Sequence, residues 1–168
     1  DGNTVRILSI HKSKGLEFPI VFLTGMGKKF NKQDLYGKIL IDPDLGIATD
    51  YLDLDLRVKT STLKKNVLRR RLELEALGEE LRVLYVAMTR AKEKLIMTGT
   101  DRYLDKKLER FSDIKRTAGQ IPFTILSTAD SFLDWLLMSL SGKLSESALL
   151  SEAGVETGLM TVREYSVA

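Results

Sequence analysis

The spacing of apolar residues changes period along this chain. Val5-Arg6-Ile7-Leu8-Ser9-Ile10 and Pro19-Ile20-Val21-Phe22-Leu23-Thr24 are short runs rich in β-branched residues, and both predict strands. The second is apolar at nearly every position, the pattern of a strand covered on both faces. A short polar stretch separates them, so near-parallel strands here need a compact crossover, and a helical turn over 12–16 fits it. Residues 25–60 are punctuated by Gly25, Gly27, Gly37, Pro43 and Gly46, and brief runs such as Lys38-Ile39-Leu40-Ile41 predict small strands. From Ser61 onward Leu63, Val67, Leu74, Leu77, Leu81, Leu84 and Met88 recur at spacings of three, four or seven, which predicts a helix. Thr60, Ser61 or Thr62 can cap it, and Gly78 is expected to kink or divide it. Its last turns should bury Leu81, Leu84, Tyr85 and Met88, and Lys94–Gly99 then predicts another core strand.

Beyond Asp101 the pattern is helical again, with Tyr103, Leu104, Leu108 and Phe111 on one face. Residues 112–120 read as a loop, and 129–140 as an apolar-rich helix in which Trp135 packs a core or, as the alternative, meets another subunit. Residues 151–168 carry weak signals and are expected to be poorly ordered. Strand, helix and strand in alternation predict an α/β layer with a mainly parallel sheet. In such sheets ligands bind beyond the carboxyl ends of the strands.

Composition narrows the chemistry. With 168 residues, 43% hydrophobic and 29% charged, the chain can bury one sizeable core as an ordinary globular domain does. The net charge of +3, from 26 basic and 23 acidic residues, does not by itself predict nucleic-acid binding, though a local basic surface is compatible with it. No cysteine is present, which excludes disulfides and thiolate metal sites, and a single His leaves no multi-His zinc site. No metal site is expected. No apolar run approaches the ~20 residues of a membrane span, and the opening Asp-Gly-Asn-Thr has no signal-peptide character. These features fit a cytoplasmic protein with no membrane contact, and the chain reads as a piece of something longer.

Two blocks carry candidate chemistry. In His11-Lys12-Ser13-Lys14-Gly15-Leu16-Glu17-Phe18, Gly15 permits a tight backbone path, His11 and Lys14 can donate to nucleic-acid phosphates, and Glu17 can accept from a ribose hydroxyl. The same spacing fits a plain crossover turn with a solvated Lys pair. In Glu79–Lys92, Arg90 falls near a helix end, ahead of a strand. A guanidinium placed against a transferring phosphoryl group stabilises transition-state charge and is worth ~10³–10⁵ in rate. An Arg that only complements the helix dipole, or pairs with Glu79 or Glu80, is worth well under ~1 kcal/mol when exposed.

Order and co-occurrence of the blocks matter more than either alone. Residues 9–18 resemble motif V of superfamily 1 helicases of the UvrD/RecB type, roughly T-x-H-x-x-K-G-L-E-F, with Ser9 in place of the usual Thr. Residues 79–91 resemble motif VI, roughly E-E-x-R-L-x-Y-V-x-x-T-R-A. Within that family, Ala129–Leu137 and Leu40–Gly46 are similar to segments of the AddA (RexA) subunits of bacterial helicase–nucleases. The likeness covers about residues 4–140.

The resemblance implies the RecA-like fold of helicase domain 2A over 1–100, a partial parallel sheet flanked by helices. A helical extension would follow over 101–150, then a truncated tail over 151–168. It implies that Arg90 meets the γ-phosphate, that Glu17 and Gly15 belong to the nucleotide site, and that His11 and Lys14 lie near single-stranded DNA. The implied nucleotide is ATP with magnesium, bound mainly by an N-terminal motor domain that this chain lacks. The implied partners are single-stranded DNA, duplex DNA ends and an AddB/RexB-type subunit, in double-strand break repair. Two alternatives stay open: a non-catalytic helicase-like module that binds DNA or a partner, and a UvrD-like helicase without a nuclease. No G-x-x-x-x-G-K-[ST] phosphate loop, acidic Walker B pair or nuclease carboxylate set is found, and Gly25-Met26-Gly27-Lys28-Lys29 is only an echo of the first. The chain alone is therefore expected to hydrolyse no ATP.

Overall fold

The computed structural model describes residues 4–117 and 119–141, together with the backbone of 155–157 and 160–162. In chain order the elements are β1 (Phe18–Leu23), β2 (Ile39–Asp42), β3 (Gly46–Asp53), β4 (Val58–Ser61), α1 (Leu63–Met88), β5 (Ala91–Met97), α2 (Leu104–Ser112), α3 (Phe123–Leu126), α4 (Phe132–Leu140), β6 (Val155–Thr157) and β7 (Met160–Val162). Short 3₁₀ turns lie at His11–Ser13 and Gln33–Tyr36. The chain divides into two units, Asp1–Val21 with Phe30–Ile96, and Phe22–Lys29 with Met97–Ala168.

In the first unit, α1 is the organising element. Thr62 caps it: its hydroxyl accepts from the Lys65 N–H at 3.2 Å and donates to the Thr49 carbonyl at 2.7 Å, tying the helix start to β3. Strands β2, β3 and β4 form an antiparallel sheet in that order, with Leu40 opposite Ala48. Leu40, Ala48 and Leu68 are buried together, and Leu72 packs against them. Lys65 is buried as well. Its ammonium donates to the Asp50 carboxylate at 2.9 Å and to the Lys38 carbonyl at 3.0 Å, so the charge is paired and hydrogen-bonded, as a buried ammonium requires. The bond from Lys65, and a second from Lys59, hold the Asp50 carboxyl below its usual range. The parallel component is the pair β1–β5, in which the Phe18 N–H donates to the Arg90 carbonyl at 2.9 Å at the start of both strands.

Among the described residues, the second unit buries Leu23, Met26, Phe111, Ala129, Trp135, Leu137, Met138 and Leu140 as its apolar core. Ser131 caps α4 by accepting from the Asp134 N–H, and Asp134 in turn accepts from the Asp130 N–H at 2.8 Å. The Lys107 ammonium lies 2.6 Å from Asp101 and 2.7 Å from Asp134. The Trp135 indole N–H reaches the Leu126 carbonyl at 3.0 Å, so Trp135 is a core residue, as expected. Met26 accepts the Leu133 N–H at 2.8 Å and donates its own N–H to Thr98. A Cβ at Gly27 would sit 2.0 Å from the Thr100 carbonyl oxygen, so this glycine is required by close backbone approach. The 25–29 stretch is thus a packing turn.

Several expectations are corrected. Residues 5–10 form no strand: Val5 and Ile7 are each 95% exposed, and among the described residues no strand lies alongside to supply a ladder. Strand β1 is apolar but not covered on both faces, since Ile20 and Phe22 are exposed. Helix α1 runs through Gly78 undivided, because a helix interior tolerates one glycine when its flanking turns are well formed. Its last turns bury Leu77, Leu84 and Ala87, whereas Leu81 is 53% and Tyr85 67% exposed and Met88 is also exposed. Strand β5 begins at Ala91, three residues before the predicted start. The short helix α3 was not predicted. The expectation for 151–168 lies outside the described residues, apart from the antiparallel pair β6–β7.

Candidate functional site: where the two blocks meet

The 11–17 turn and the end of α1 are joined directly. Residues 11–13 form one 3₁₀ turn, in which Ser13 is buried and its hydroxyl donates to the Ile10 carbonyl at 2.7 Å. Ser9 accepts the Lys12 N–H at 3.4 Å through its hydroxyl. Gly15 follows with φ +82°, a left-handed conformation that a side chain would strain. This reversal carries the chain through Leu16 and Glu17 into β1, and it leaves His11, Lys14 and Glu17 exposed.

Helix α1 ends at Met88, Thr89 closes its last turn, and Arg90 leads into β5. The Arg90 side chain is half-buried, and its guanidinium is held by three acceptors. Nε donates to the Val86 carbonyl at 2.9 Å, Nη1 to the Leu16 carbonyl at 2.9 Å, and Nη2 to the Thr89 hydroxyl at 3.0 Å. Glu79 pairs with Arg82 at 3.3 Å, and Arg90 pairs with neither Glu79 nor Glu80. One residue into β5, Lys92 reaches Glu17 at 3.2 Å. Three links therefore join segments some seventy residues apart: Arg90 to Leu16 through the side chain, Arg90 to Phe18 through the backbone, and Lys92 to Glu17.

All the residues singled out for nucleotide chemistry thus fall in one neighbourhood of one unit. A guanidinium has five N–H donors, and among the described residues three are committed, which leaves two that can meet an anion. That set of donors fits a phosphate group. Among the described residues no group of three or more His, Asp or Glu side chains stands together as a metal cage. Two surface concavities, one along α1 at Val67–Glu75 and one beside Phe111, are lined by none of His11, Lys14, Glu17 or Arg90. Sequence reasoning missed Thr89 and Lys92 as contact residues. The strand start at Ala91, three residues ahead of the one the sequence predicts, is what brings Lys92 to Glu17.

The chain belongs to the family of UvrD-like helicase C-terminal domains, whose model matches residues 1–102. Its α/β arrangement, with a parallel strand pair and flanking helices, is consistent with helicase domain 2A. Within that family it is similar to the AddA-type subunit of the ATP-dependent helicase/nuclease of Clostridium botulinum strain Loch Maree, at 42% identity over 95% of this chain and 12% of the relative. The corresponding subunit of C. botulinum strain Alaska E43 is 50% identical over 82% of this chain and 11% of the relative, and that of C. perfringens is 49% identical over 83% and 11%. The resemblance drawn from residues 9–18 and 79–91 is borne out by these relatives. The chain spans about a tenth of the length of the curated relatives it matches. No helix among the described residues is long and apolar enough to cross a membrane.

Proposed function

We propose that this chain is the half of a second motor domain, carrying motifs V and VI, of an AddA-type helicase/nuclease subunit. In this reading residues 1–100 are the motor part and 101–150 a helical extension. The full-length subunit hydrolyses ATP, moves along single-stranded DNA and unwinds duplex ends in double-strand break repair, beside an AddB/RexB-type partner in the cytoplasm. ATP with magnesium is held mainly by the N-terminal motor domain of the full-length subunit, and it supplies the phosphoanhydride that is cleaved. Arg90 is the residue this chain contributes to the reaction: its two uncommitted N–H donors meet the γ-phosphate and stabilise the charge that builds on it. Glu17 accepts from the nucleotide sugar, and Gly15 gives the reversal that presents it. His11 and Lys14, exposed on the same turn, meet the DNA backbone.

The observation that carries the reading is the bond from Arg90 to the Leu16 carbonyl. It places the arginine of one block on the turn that holds the other. The test is Arg90→Ala in the full-length subunit with its partner. DNA-stimulated ATP hydrolysis is expected to fall by roughly 10³-fold or more while single-stranded DNA binding is retained. Unchanged hydrolysis would refute the assignment.

A further inference from the structure

Thr89 lies between the helix end and the arginine, and its hydroxyl faces both. Oγ1 sits 3.0 Å from the Tyr85 carbonyl and 3.1 Å from the Val86 carbonyl, and 3.0 Å from Arg90 Nη2. A hydroxyl has one proton and two lone pairs. Two carbonyl oxygens can only accept, so they take the proton, and the lone pairs are left for the guanidinium. The orientation of Oγ1 is therefore set by the helix end rather than by Arg90. The β-branch stiffens it further by restricting χ1.

The helix gains little from this hydroxyl. The Thr89 backbone N–H already donates to the Tyr85 carbonyl at 3.1 Å, and Arg90 Nε already serves the Val86 carbonyl at 2.9 Å. The arginine gains more, because Oγ1 is the acceptor that Nη2 has among the described residues. Leu16 holds Nη1 and Val86 holds Nε, and Thr89 completes a three-point hold that fixes the plane of the guanidinium. We propose that Thr89 is a positioning residue for Arg90: its hydroxyl orients the guanidinium toward the γ-phosphate without touching the nucleotide. This rests on the reading of Arg90 as the catalytic arginine.

The test uses the full-length subunit with its partner and the variants Thr89→Val, Thr89→Ser, Arg90→Ala and Thr89→Val/Arg90→Ala. Valine keeps the shape and the β-branch and removes the acceptor. It should lower kcat for ATP hydrolysis by about tenfold, because a misplaced catalytic group loses rate steeply with distance. KM for ATP and affinity for single-stranded DNA should stay within about twofold, since both are expected to rest mainly on other groups. Thr89→Ser, which keeps the hydroxyl, should recover most of the rate. On the Arg90→Ala background Thr89→Val should cost nothing further, because a residue that acts only through Arg90 has nothing left to position. A wild-type kcat for Thr89→Val, or the same fractional loss with and without Arg90, overturns the proposal. Should Thr89→Val fail to fold, the Ser variant decides: a kcat no better than that of Arg90→Ala in a folded Thr89→Ser subunit also overturns it. If Arg90→Ala itself leaves kcat unchanged, the reading of Arg90 fails, and this inference fails with it. If Arg90→Ala abolishes hydrolysis and Thr89→Val does not slow it, only the positioning role falls.

Discussion

Single side chains decide most of the chemistry, and each meets a different environment. Lys14 is exposed on the turn, and among the described residues its ammonium has no acceptor. If it meets one DNA phosphate, Lys14→Ala should weaken single-stranded DNA binding and make the log–log dependence on salt shallower by ~0.7. Titrations of fluorescent single-stranded DNA at several salt concentrations give that slope, and an unaltered slope removes Lys14 from the interface. Lys107 is the opposite case, a cation the fold does need. Burial pushes its pKa down, but the bonds to Asp101 and Asp134 outweigh that and raise it above the usual 10.5. The same contact with Lys107 holds Asp101 below its usual 3.8. The stabilisation from Asp101 is therefore present above about pH 4 and fades as pH falls through its lowered value; that from Lys107 is full below 10.5 and is lost only above its raised value. Lys107→Met should cost about 2–3 kcal/mol near neutral pH, with the gap to wild type narrowing below pH 4. Denaturant midpoints measured across pH check this, and a pH-independent gap contradicts it.

Elements were legible in proportion to how local their causes are. Helix α1 was readable because its period, its capping Thr62 and its length all lie within one segment. The small strand at 39–42 was readable for the same reason, but its antiparallel pairing with β3 was not. What failed depended on neighbours distant in sequence. Val5–Ile10 has the composition of a strand, but a strand exists only when another pairs with it. The late turns of α1 carry two apolar stripes, one through Leu77 and Leu84 and one through Leu81, Tyr85 and Met88, and period alone does not say which is covered. The structure covers the first. Leu68→Ala, at 1% exposure, should therefore destabilise by about 2–5 kcal/mol, and Leu81→Ala by well under ~1 kcal/mol. Equal losses in thermal or denaturant unfolding would show that the second stripe is buried after all.

At the scale of the whole molecule, the candidate site was legible as two motifs but not as one assembly. His11, Lys14, Gly15, Glu17 and Arg90 were singled out as candidates from motif order alone. The bonds that join them were not. Arg90 is held by two carbonyl oxygens and a threonine hydroxyl, and backbone acceptors leave no trace in residue identity. The chain belongs to the UvrD-like helicase C-terminal family and spans about a tenth of the length of its curated relatives. On the proposed reading, Arg90 acts in the chemical step on ATP bound by another domain of the full-length subunit. Single-turnover hydrolysis by the full-length subunit, saturated with single-stranded DNA, isolates that step from binding. Arg90→Ala is expected to bind ATP and DNA near normally yet cleave ATP at least ~10³-fold more slowly. A wild-type cleavage rate in that variant would remove Arg90 from the chemical step.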